Sequence, residues 1–189
     1  MTSVEDGVRF SFDGQHPVQT AWTAKGSDNA FLCLPDSNGK CDDGTDLFGD
    51  FTPQPPSDHP NGFAALAVYD QPANGGNGDG VIDARDAVFS SLRLWVDANH
   101  DGISQPSEIH TLASLGVNSI SLKYHEDART DQYGNVFRYR SSVNPDDPDA
   151  SRVDRTAYDV FFVTLGSPVS TNLACPAPIA GKGGMLSNK

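Results

Sequence analysis

Apolar and polar residues alternate in the N-terminal third of the chain. Val8, Phe10 and Phe12 alternate with polar residues before an Asp-Gly turn, which is typical of a half-buried strand. Residues 18–22 and 30–34 form two further apolar stretches between Gly- and Asp-rich turns. The pattern predicts short strands joined by tight turns.

From residue 62 the apolar spacing changes to that of helices. Residues 62–69, 84–94 and 108–115 each place apolar side chains three or four positions apart, which predicts three short amphipathic helices. Gly116 follows the third segment and is suited to a left-handed C-terminal cap, with Val117 placed for the accompanying apolar contact.

Strand patterns return after the third predicted helix. Residues 120–124 and 137–140 alternate in polarity, and residues 158–165 form a more continuous apolar run. The segment 52–61 contains four prolines and is predicted to be a stiff connector. The prediction is therefore an α+β module over residues 1–165, followed by a flexible tail over residues 166–189 that is rich in Gly, Ser, Pro and Ala.

The charge balance excludes some partners. The 189 residues include 25 acidic and 13 basic side chains, for a formal net charge of −12, and no cluster of Lys and Arg offers a patch for phosphate backbones. We therefore expect no nucleic-acid partner. No apolar run is long enough to span a bilayer, and the first residues lack the features of a signal peptide. The chain is either cytosolic or part of a longer exported precursor.

The three cysteines leave two possibilities open. Cys33 and Cys41 flank a short Asp/Asn/Gly turn and are close enough in sequence for a loop-closing disulfide, whereas Cys175 lies alone in the predicted tail. One bridge and three free thiols are both compatible with this spacing.

The segment 97–108 has the spacing of an EF-hand calcium loop. It places oxygen-bearing residues at positions 1, 3 and 5, glycine at 6, a backbone carbonyl at 7 and glutamate at 12. The predicted ligands are Asp97, Asn99, Asp101, Ile103 through its carbonyl, and Glu108. Calcium takes six to eight hard oxygen ligands, so the chain must wrap around a point. The alternative is an ordinary polar turn that binds nothing.

One position of this loop departs from the pattern. Ser104 stands at position 8, where an aliphatic residue usually pairs the loop with its neighbour, and Ile103 lies one place early. This departure puts pairing with a neighbouring loop in doubt.

A second loop precedes the first in sequence. Its predicted ligands are Asp70, Asn77, Asp79, Val81 through its carbonyl, Asp83 and Asp86. Position 1 by strict counting is Gly75, so residues 70–76 are interpreted as an insertion that lets Asp70, or alternatively Asn74, enter as the missing first ligand. The alternative is that Asp83 and Asp86 only cap a helix.

Paired EF-hand loops are usually neighbours in sequence, as these two are. Pairing would join Val81-Ile82 to Ile103 in a short β bridge. The sequence thus predicts paired EF-hand-like calcium loops with short helices packed on β hairpins.

A third acidic segment is a weaker candidate. Its possible ligands are Asp36, Asn38, Asp42 and Asp46. Lys40 occupies position 5 and no glycine follows at position 6, so the segment is predicted not to bind an ion; a disulfide between the flanking cysteines is an alternative stabilising element. No HExxH, GxSxG, P-loop or GxGxxG motif is present, and we predict no enzymatic activity.

The order of these motifs resembles a known bacterial module. The segments that carry the likeness are 38–39, 43–50, 62–66, 78–83 and 92–104, within a stretch of about 6–165. Together they resemble the calcium-binding, self-processing modules of bacterial repeat-in-toxin proteins and related uncharacterised bacterial calcium-binding proteins.

The resemblance implies a calcium-dependent function. In such modules calcium folds the domain, and an upstream Asp-Pro bond is then cleaved through the aspartate side chain. No residue here matches that aspartate, and Asp147-Pro148 lies on the other side of the motifs. We therefore expect Ca²⁺ as the cofactor of a secreted bacterial module. The alternatives are a self-cleaving module whose cleavage segment is missing from this chain, and a passive adhesion or spacer domain.

Overall fold

The computed structural model describes residues 1–146 and 155–166. In these ranges the chain forms short strands, one α-helix and four single-turn 3-10 helices. The strands are β1 Val8–Phe10, β2 Val18–Thr20, β3 Phe31–Cys33, β4 Val81–Asp83, β5 Arg93–Trp95, β6 Ile109–Thr111, β7 Ser119–Ser121, β8 His125–Thr130, β9 Val136–Ser142, β10 Thr156–Phe161 and β11 Thr164–Leu165. The α-helix, α1, spans Gly62–Ala67, and the 3-10 helices span Val68–Asp70, Pro72–Asn74, Ala87–Ser90 and Ala113–Leu115.

The strands form four small antiparallel sheets. Their orders are β1-β2-β11, β10-β9-β8, β3-β5-β6 and β4-β7. The aromatic side chains of the first and third sheets meet in one core, where Phe10, Trp22 and Trp95 are buried. A second core gathers Leu66, Ile82, Leu92 and other aliphatic residues from α1, β4, β7 and the turns between them.

The predicted α+β fold with paired EF-hand helices is wrong. Within the predicted helix 84–94, only the 3-10 turn at Ala87–Ser90 is helical, and Arg93–Trp95 is strand β5. In place of the helix 108–115, strand β6 follows Glu108 and pairs with β5. The physical reason is that Trp95 and Ile109 lie opposite each other in the ladder, so burial of these apolar residues is achieved by strand pairing.

The predicted β bridge between the two acidic loops is also wrong. Strand β4 pairs with β7, where Val81 lies opposite Ser121, while the Ile103 side chain is 55% exposed. Ile82 instead faces Ile120 across the β4–β7 ladder. Each loop therefore belongs to a different sheet.

Two local predictions agree with the structure. Residues 62–67 form helix α1, whose first turn is capped by Asn61, because the Asn61 side chain accepts a hydrogen bond from the Ala64 N–H at 2.9 Å. Gly116 has a φ of 71° and ends the 3-10 turn at Ala113–Leu115. The predicted tail lies, apart from Gly166, outside the described residues, as do Cys175 and the Asp147-Pro148 bond.

The open question about the cysteines is settled for one pair. Cys33 and Cys41 form a disulfide, and both residues are fully buried. Cys33 lies in β3, which pairs with β5, so the bridge fixes the acidic turn 34–40 to the sheet that leads into the loop 97–108. No helix in the described ranges is long and apolar enough to cross a membrane.

Candidate metal centre

Asp97 organises the loop 97–108. Its carboxylate is 3% exposed and accepts backbone N–H groups of His100 at 2.7 Å, Asp101 at 3.1 Å and Gly102 at 2.9 Å. The Trp22 indole N–H donates to the same carboxylate at 2.7 Å. The first predicted ligand thus closes the loop and fixes it to the aromatic core.

The other predicted ligands of this loop follow a regular plan. The Asn99 side-chain oxygen accepts the Asp101 N–H at 3.1 Å, and the Asp101 carboxylate accepts the Ile103 N–H at 2.8 Å. Glu108 turns back from the far end, and its Oε1 accepts the Ala98 N–H at 3.0 Å and the Asn99 N–H at 3.3 Å. The loop is therefore a β5–β6 connection that brings its position 1 and position 12 carboxylates to the same end.

Asp70, the predicted first ligand of the second loop, accepts hydrogen bonds from the backbone of that loop. It is 8% exposed, and its two carboxylate oxygens accept the N–H groups of Gly78 at 3.0 Å and Gly80 at 2.9 Å. The Asn77 side-chain oxygen accepts the Asp79 N–H at 3.0 Å. The insertion at residues 71–76 is a 3-10 turn and two glycines that loop outward from this position.

The two loops share one hydrogen-bond pattern. Gly80 donates to Asp70 as Gly102 donates to Asp97, and the loop asparagine donates to the next loop aspartate at 3.0 Å in both. Positive φ angles also recur at equivalent places, at Gly78 and Gly80 in one loop and at His100 and Gly102 in the other. Two segments with different connections therefore adopt the same acidic turn.

The glycine at position 6 is required for two reasons. Gly102 has a φ of 72°, which side chains rarely adopt, and a Cβ there would lie 2.9 Å from the Val8 side chain. The loop therefore packs directly against strand β1, and its conformation is coupled to the aromatic core.

The far end of the second loop differs from that of the first. The two oxygens of Asp86 accept the N–H groups of Asn77 at 3.2 Å and Asp83 at 2.9 Å, so this shorter acid closes its loop as Glu108 does. Asp83 instead pairs with Arg85 at 2.6 Å, and Arg85 also reaches Asp79 at 2.7 Å. A guanidinium thus bridges two predicted ligands of this loop.

The Arg85 bridge also affects protonation. The hydrogen bond from Arg85 lowers the pKa of the Asp83 carboxyl below its ordinary value. The hydrogen bond with Asp83, followed by the Asp79 charge, raises the pKa of Arg85.

Val81, whose backbone carbonyl is a predicted ligand, lies in strand β4. This residue is therefore already part of the ladder between β4 and β7.

The carboxylates are turned toward backbone N–H groups more than toward one another. Among the residues that the structure describes, no three His, Cys, Asp or Glu side chains are gathered closely enough to hold a metal ion. A carboxylate that accepts two N–H bonds keeps further lone pairs, so these hydrogen bonds do not exhaust the acceptor capacity of the loop acids. The Gln105 side-chain oxygen at position 9 is buried and has no hydrogen-bond partner in the described ranges, which is compatible with an ion or its water in this loop.

The third acidic segment does not form a similar loop. Asp36 accepts the N–H groups of Asn38 at 2.8 Å and Lys40 at 3.0 Å, and the Lys40 hydrogen bond lowers the pKa of its exposed carboxyl. Asp46 accepts the Asp42 N–H at 3.0 Å, and burial raises the pKa of Asp46. These acids stabilise separate turns beside the disulfide.

The departure at position 8 of the first loop has a structural cause. Ser104 is 2% exposed, and its hydroxyl accepts the Cys41 N–H at 3.0 Å and donates to Asp42 at 3.1 Å. Ser104 therefore connects the loop to the disulfide-bridged turn, where an aliphatic residue would have left the Cys41 N–H without an acceptor.

Sequence analysis missed a pair of acids elsewhere. Asp159 on β10 is 7% exposed, and burial raises its pKa to about 6, with the Asp50 charge adding to the effect. Burial raises the pKa of Asp50 as well. Each carboxyl has one buried oxygen without a hydrogen-bond partner among the described residues. No local pattern could reveal this pair, because its members are far apart in sequence.

Comparison with known proteins identifies the module. The sequence model of the SPM domain matches residues 1–162. The iron-regulated protein FrpA of Neisseria meningitidis serogroup C is 38% identical over 130 residues, which cover 68% of this chain and 11% of FrpA. The chain therefore corresponds to a small part of that relative, and both acidic loops lie within the SPM match.

Proposed function

The chain belongs to the SPM domain family, and from this premise we propose that it is a calcium-binding module of a secreted bacterial protein. The observation that carries the proposal is the shared hydrogen-bond pattern of the loops 70–86 and 97–108. Two independent segments that build the same acidic turn are better explained by a common ligand than by the needs of their different sheets.

The oxygen-rich donor set favours calcium. Asp97, Asn99, Asp101 and Glu108, with the Ile103 carbonyl, supply carboxylate, amide and backbone oxygens, which hard divalent cations prefer. In the second loop the corresponding donors are Asp70, Asn77, Asp79 and Asp86, with the carbonyl of Val81 and the Asp83 carboxylate beside them. Calcium fits these flexible sets better than magnesium, which demands a tighter octahedral arrangement.

Bound calcium would act on stability. The formal net charge of −12 would fall to about −8 with two divalent cations, relieving repulsion among the loop acids. At a free calcium concentration of 100 times Kd, each independent site adds about 2.7 kcal/mol to the free energy of unfolding, which is a large share of a typical stability of about 5 to 15 kcal/mol.

An extracellular location is part of the proposal. The buried Cys33–Cys41 disulfide suits an oxidising compartment, since thiols in the cytosol are kept reduced. Millimolar calcium outside cells also matches weak extracellular sites.

The main experiment is a calorimetric calcium titration of the full chain after removal of metal with EDTA. We expect saturable binding and a higher melting temperature in millimolar calcium. The Asp97→Asn and Asp70→Asn variants should each lose one site, whereas the control Asp58→Asn, which removes an exposed charge outside both loops, should lose none. No heat and an unchanged melting temperature would contradict the proposal and support a passive spacer.

Terbium luminescence can assign the sites. The Trp22 indole contacts Asp97 at 2.7 Å, so Tb³⁺ in the first loop should be sensitised by excitation of tryptophan. We expect this emission to disappear in Asp97→Asn and to persist in Asp70→Asn. Equal emission from both variants would show that Tb³⁺ binds outside the first loop.

A further inference from the structure

A large cavity has none of the residues of the loops 70–86 and 97–108 in its walls, although Val96 and His110, which flank the loop 97–108, line it. Its volume is about 910 Å³, at the upper end of the range of about 300 to 1,000 Å³ that is typical of small-molecule sites. Strand β10, the segment 47–51 and the start of α1 contribute to its walls, together with side chains of the aliphatic core. Most of the walls are apolar. The charged residues that line them are three acids, Asp28, Asp50 and Asp159, and two arginines, Arg129 and Arg155.

Asp159 presents an unsatisfied charge to this cavity. One of its oxygens accepts the Gly62 N–H at 3.1 Å, whereas the other is buried and without a partner in the described ranges. Asp50 Oδ1 is also buried and has no hydrogen-bond partner in the described ranges. Burying an ionised carboxylate without a counter-charge is costly, so the arrangement favours either protonation or an incoming cation.

Gly62 is packed tightly against Asp159 and the Phe48 carbonyl. A Cβ at this position would lie 2.5 Å from the Phe48 carbonyl oxygen and 3.2 Å from Asp159 Oδ1, so only glycine fits here. The Phe48 carbonyl and the Asp159 carboxylate therefore converge on one small region, where they offer acceptors from backbone and side chain. The Phe63 ring is also part of the cavity wall.

The arginines near the two acids do not neutralise them. Of the two that line the cavity, Arg129 pairs with Asp127 and Arg155 donates to the Leu115 carbonyl, and among the described residues neither Asp50 nor Asp159 forms an ion pair. Burial dominates the pKa of both Asp50 and Asp159, although the Arg138 charge acts in the lowering direction on each. Among the described residues Arg138 forms no ion pair with either acid; its guanidinium contacts His59 at 3.1 Å and lies over the rings of Tyr139 and Phe161.

We propose that this cavity binds a small organic cation, with its ammonium group at Asp50 and Asp159 and its apolar body against the aromatic and aliphatic walls. A metal ion fits poorly, since two carboxylates and apolar walls cannot supply six oxygen ligands. An ammonium group needs only a few acceptors, and its carbon skeleton matches the apolar lining. Contact with the Phe63 ring would add a cation–π interaction.

The test compares a charged probe with a neutral analogue of the same shape. The full chain, labelled with ¹⁵N, is titrated with 2-phenylethylamine and with 2-phenylethanol at about pH 7.5 and followed by NMR. We expect saturable shifts at the Gly62 and Asp159 amides with the amine, and at least about tenfold weaker binding of the alcohol. Equal binding of both probes, or no saturable shift with either, would overturn the proposal.

Variants distinguish the cavity from general attraction to an acidic protein. Asp159→Asn and Asp50→Asn should each weaken amine binding at least about tenfold and leave alcohol binding unchanged. Asp58→Asn removes the same charge from an exposed position and should change neither. Equal weakening by Asp58→Asn would show nonspecific charge attraction. The Asp50 variant keeps the test valid if Asp159→Asn perturbs folding, which the same spectra reveal.

Discussion

The acids of the turns and the acids of the cavity differ in how many N–H groups they accept. Asp13 accepts the backbone N–H groups of Gln15 and His16, together with side-chain contacts from Ser11 and His16. Burial alone would raise its pKa, but these hydrogen bonds hold it well below the usual range. Asp159, with one N–H partner, has its pKa raised to about 6 because burial outweighs that bond.

Asp131 follows the pattern of Asp13. Burial would raise its pKa, yet hydrogen bonds from Asn135 and Tyr133 bring it below the ordinary value. The loop acid Asp97 is as deeply buried as Asp159 but accepts four N–H groups. Burial therefore does not set the direction of the pKa shift by itself. Asp13 and Asp131 have lowered pKa values because tight backbone turns direct several N–H groups at one carboxylate, whereas Asp159 accepts one N–H group and has a raised pKa.

The largest expected effect comes from removing a turn acid that satisfies many donors. Asp97→Ala leaves four N–H groups without their acceptor, and each buried unsatisfied donor costs about 1 to 3 kcal/mol. Because water will reach some of them, we expect the free energy of unfolding in EDTA to fall by roughly 3 to 5 kcal/mol. Urea unfolding followed by tryptophan fluorescence measures the change.

Asp101→Ala is the matched control in the same loop. Asp101 is exposed, and the groups that donate to it can turn to water, so its loss should cost less than about 1 kcal/mol. Similar losses for the two variants would contradict the view that buried N–H satisfaction gives Asp97 its role.

The second prediction concerns Asp159 in the cavity, where replacing the acid should preserve stability at neutral pH, whereas replacing Asp97 should reduce it. The pKa of Asp159 is about 6 in the folded protein against 3.8 as its ordinary value, so the folded state binds the extra proton between these values. Stability from this group is therefore greatest below about pH 4 and decreases as the pH rises to about 6, by at most about 3 kcal/mol. Asp159→Asn cannot ionise and should escape this loss.

The measurement is the difference in unfolding free energy between Asp159→Asn and the wild type at several pH values. Taking the difference removes the contribution of the titrating groups that do not interact with Asp159; Asp50 does interact with it. We expect the unfolding free energy of Asp159→Asn to increase relative to that of the wild type as the pH rises from about 4 to about 7. A constant difference over this range would contradict a raised pKa for Asp159.

The spacing along the sequence was sufficient to single out the acids of the loops 70–86 and 97–108, although not Asp13 or Asp131, and the role of the loop acids as ligands stays a prediction. Asp70 was predicted as the first ligand because Gly75, which stands at position 1 by counting, has no side chain to offer in an otherwise regular spacing. In the structure the Gly80 N–H donates to Asp70 as the Gly102 N–H donates to Asp97. Such turns are local, since each side chain bonds to N–H groups a few residues away, and local patterns can be read along the chain.

The sheets and the cavity depend on distant pairings that local spacing does not encode. Leu92 and Trp95 are spaced as in a helix, but Trp95 lies between Phe31 and Ile109 in a three-stranded sheet, and a three-residue strand is too short to show its own period. Asp159 meets the start of α1 only through the packing of β10. The predictions of helices at 84–94 and 108–115 were wrong for the same reason that Asp50 and Asp159 were missed, because both depend on pairings between distant parts of the chain.

The smallest effect tests a difference between the two loops. Arg85 places a positive charge on Asp79 and Asp83, at 2.7 and 2.6 Å, and the first loop has Ser107 at the equivalent position. If the second loop binds calcium, Arg85 must move or compete with the ion. We therefore expect Arg85→Gln to tighten calcium binding at this loop by roughly fivefold, since exposed ion pairs are individually weak.

Calorimetry in the Asp97→Asn background isolates the second loop for this comparison. Lys25→Gln removes the same charge from an exposed site outside both loops, so it reports the general effect of a more negative protein. A gain with Arg85→Gln that exceeds the gain with Lys25→Gln would show that the guanidinium stands in for a cation at Asp79 and Asp83. Equal gains in calcium affinity for the two variants would mean that Arg85 only balances surface charge. Any difference in affinity between the two loops would then come from Asp86 and Glu108 at position 12.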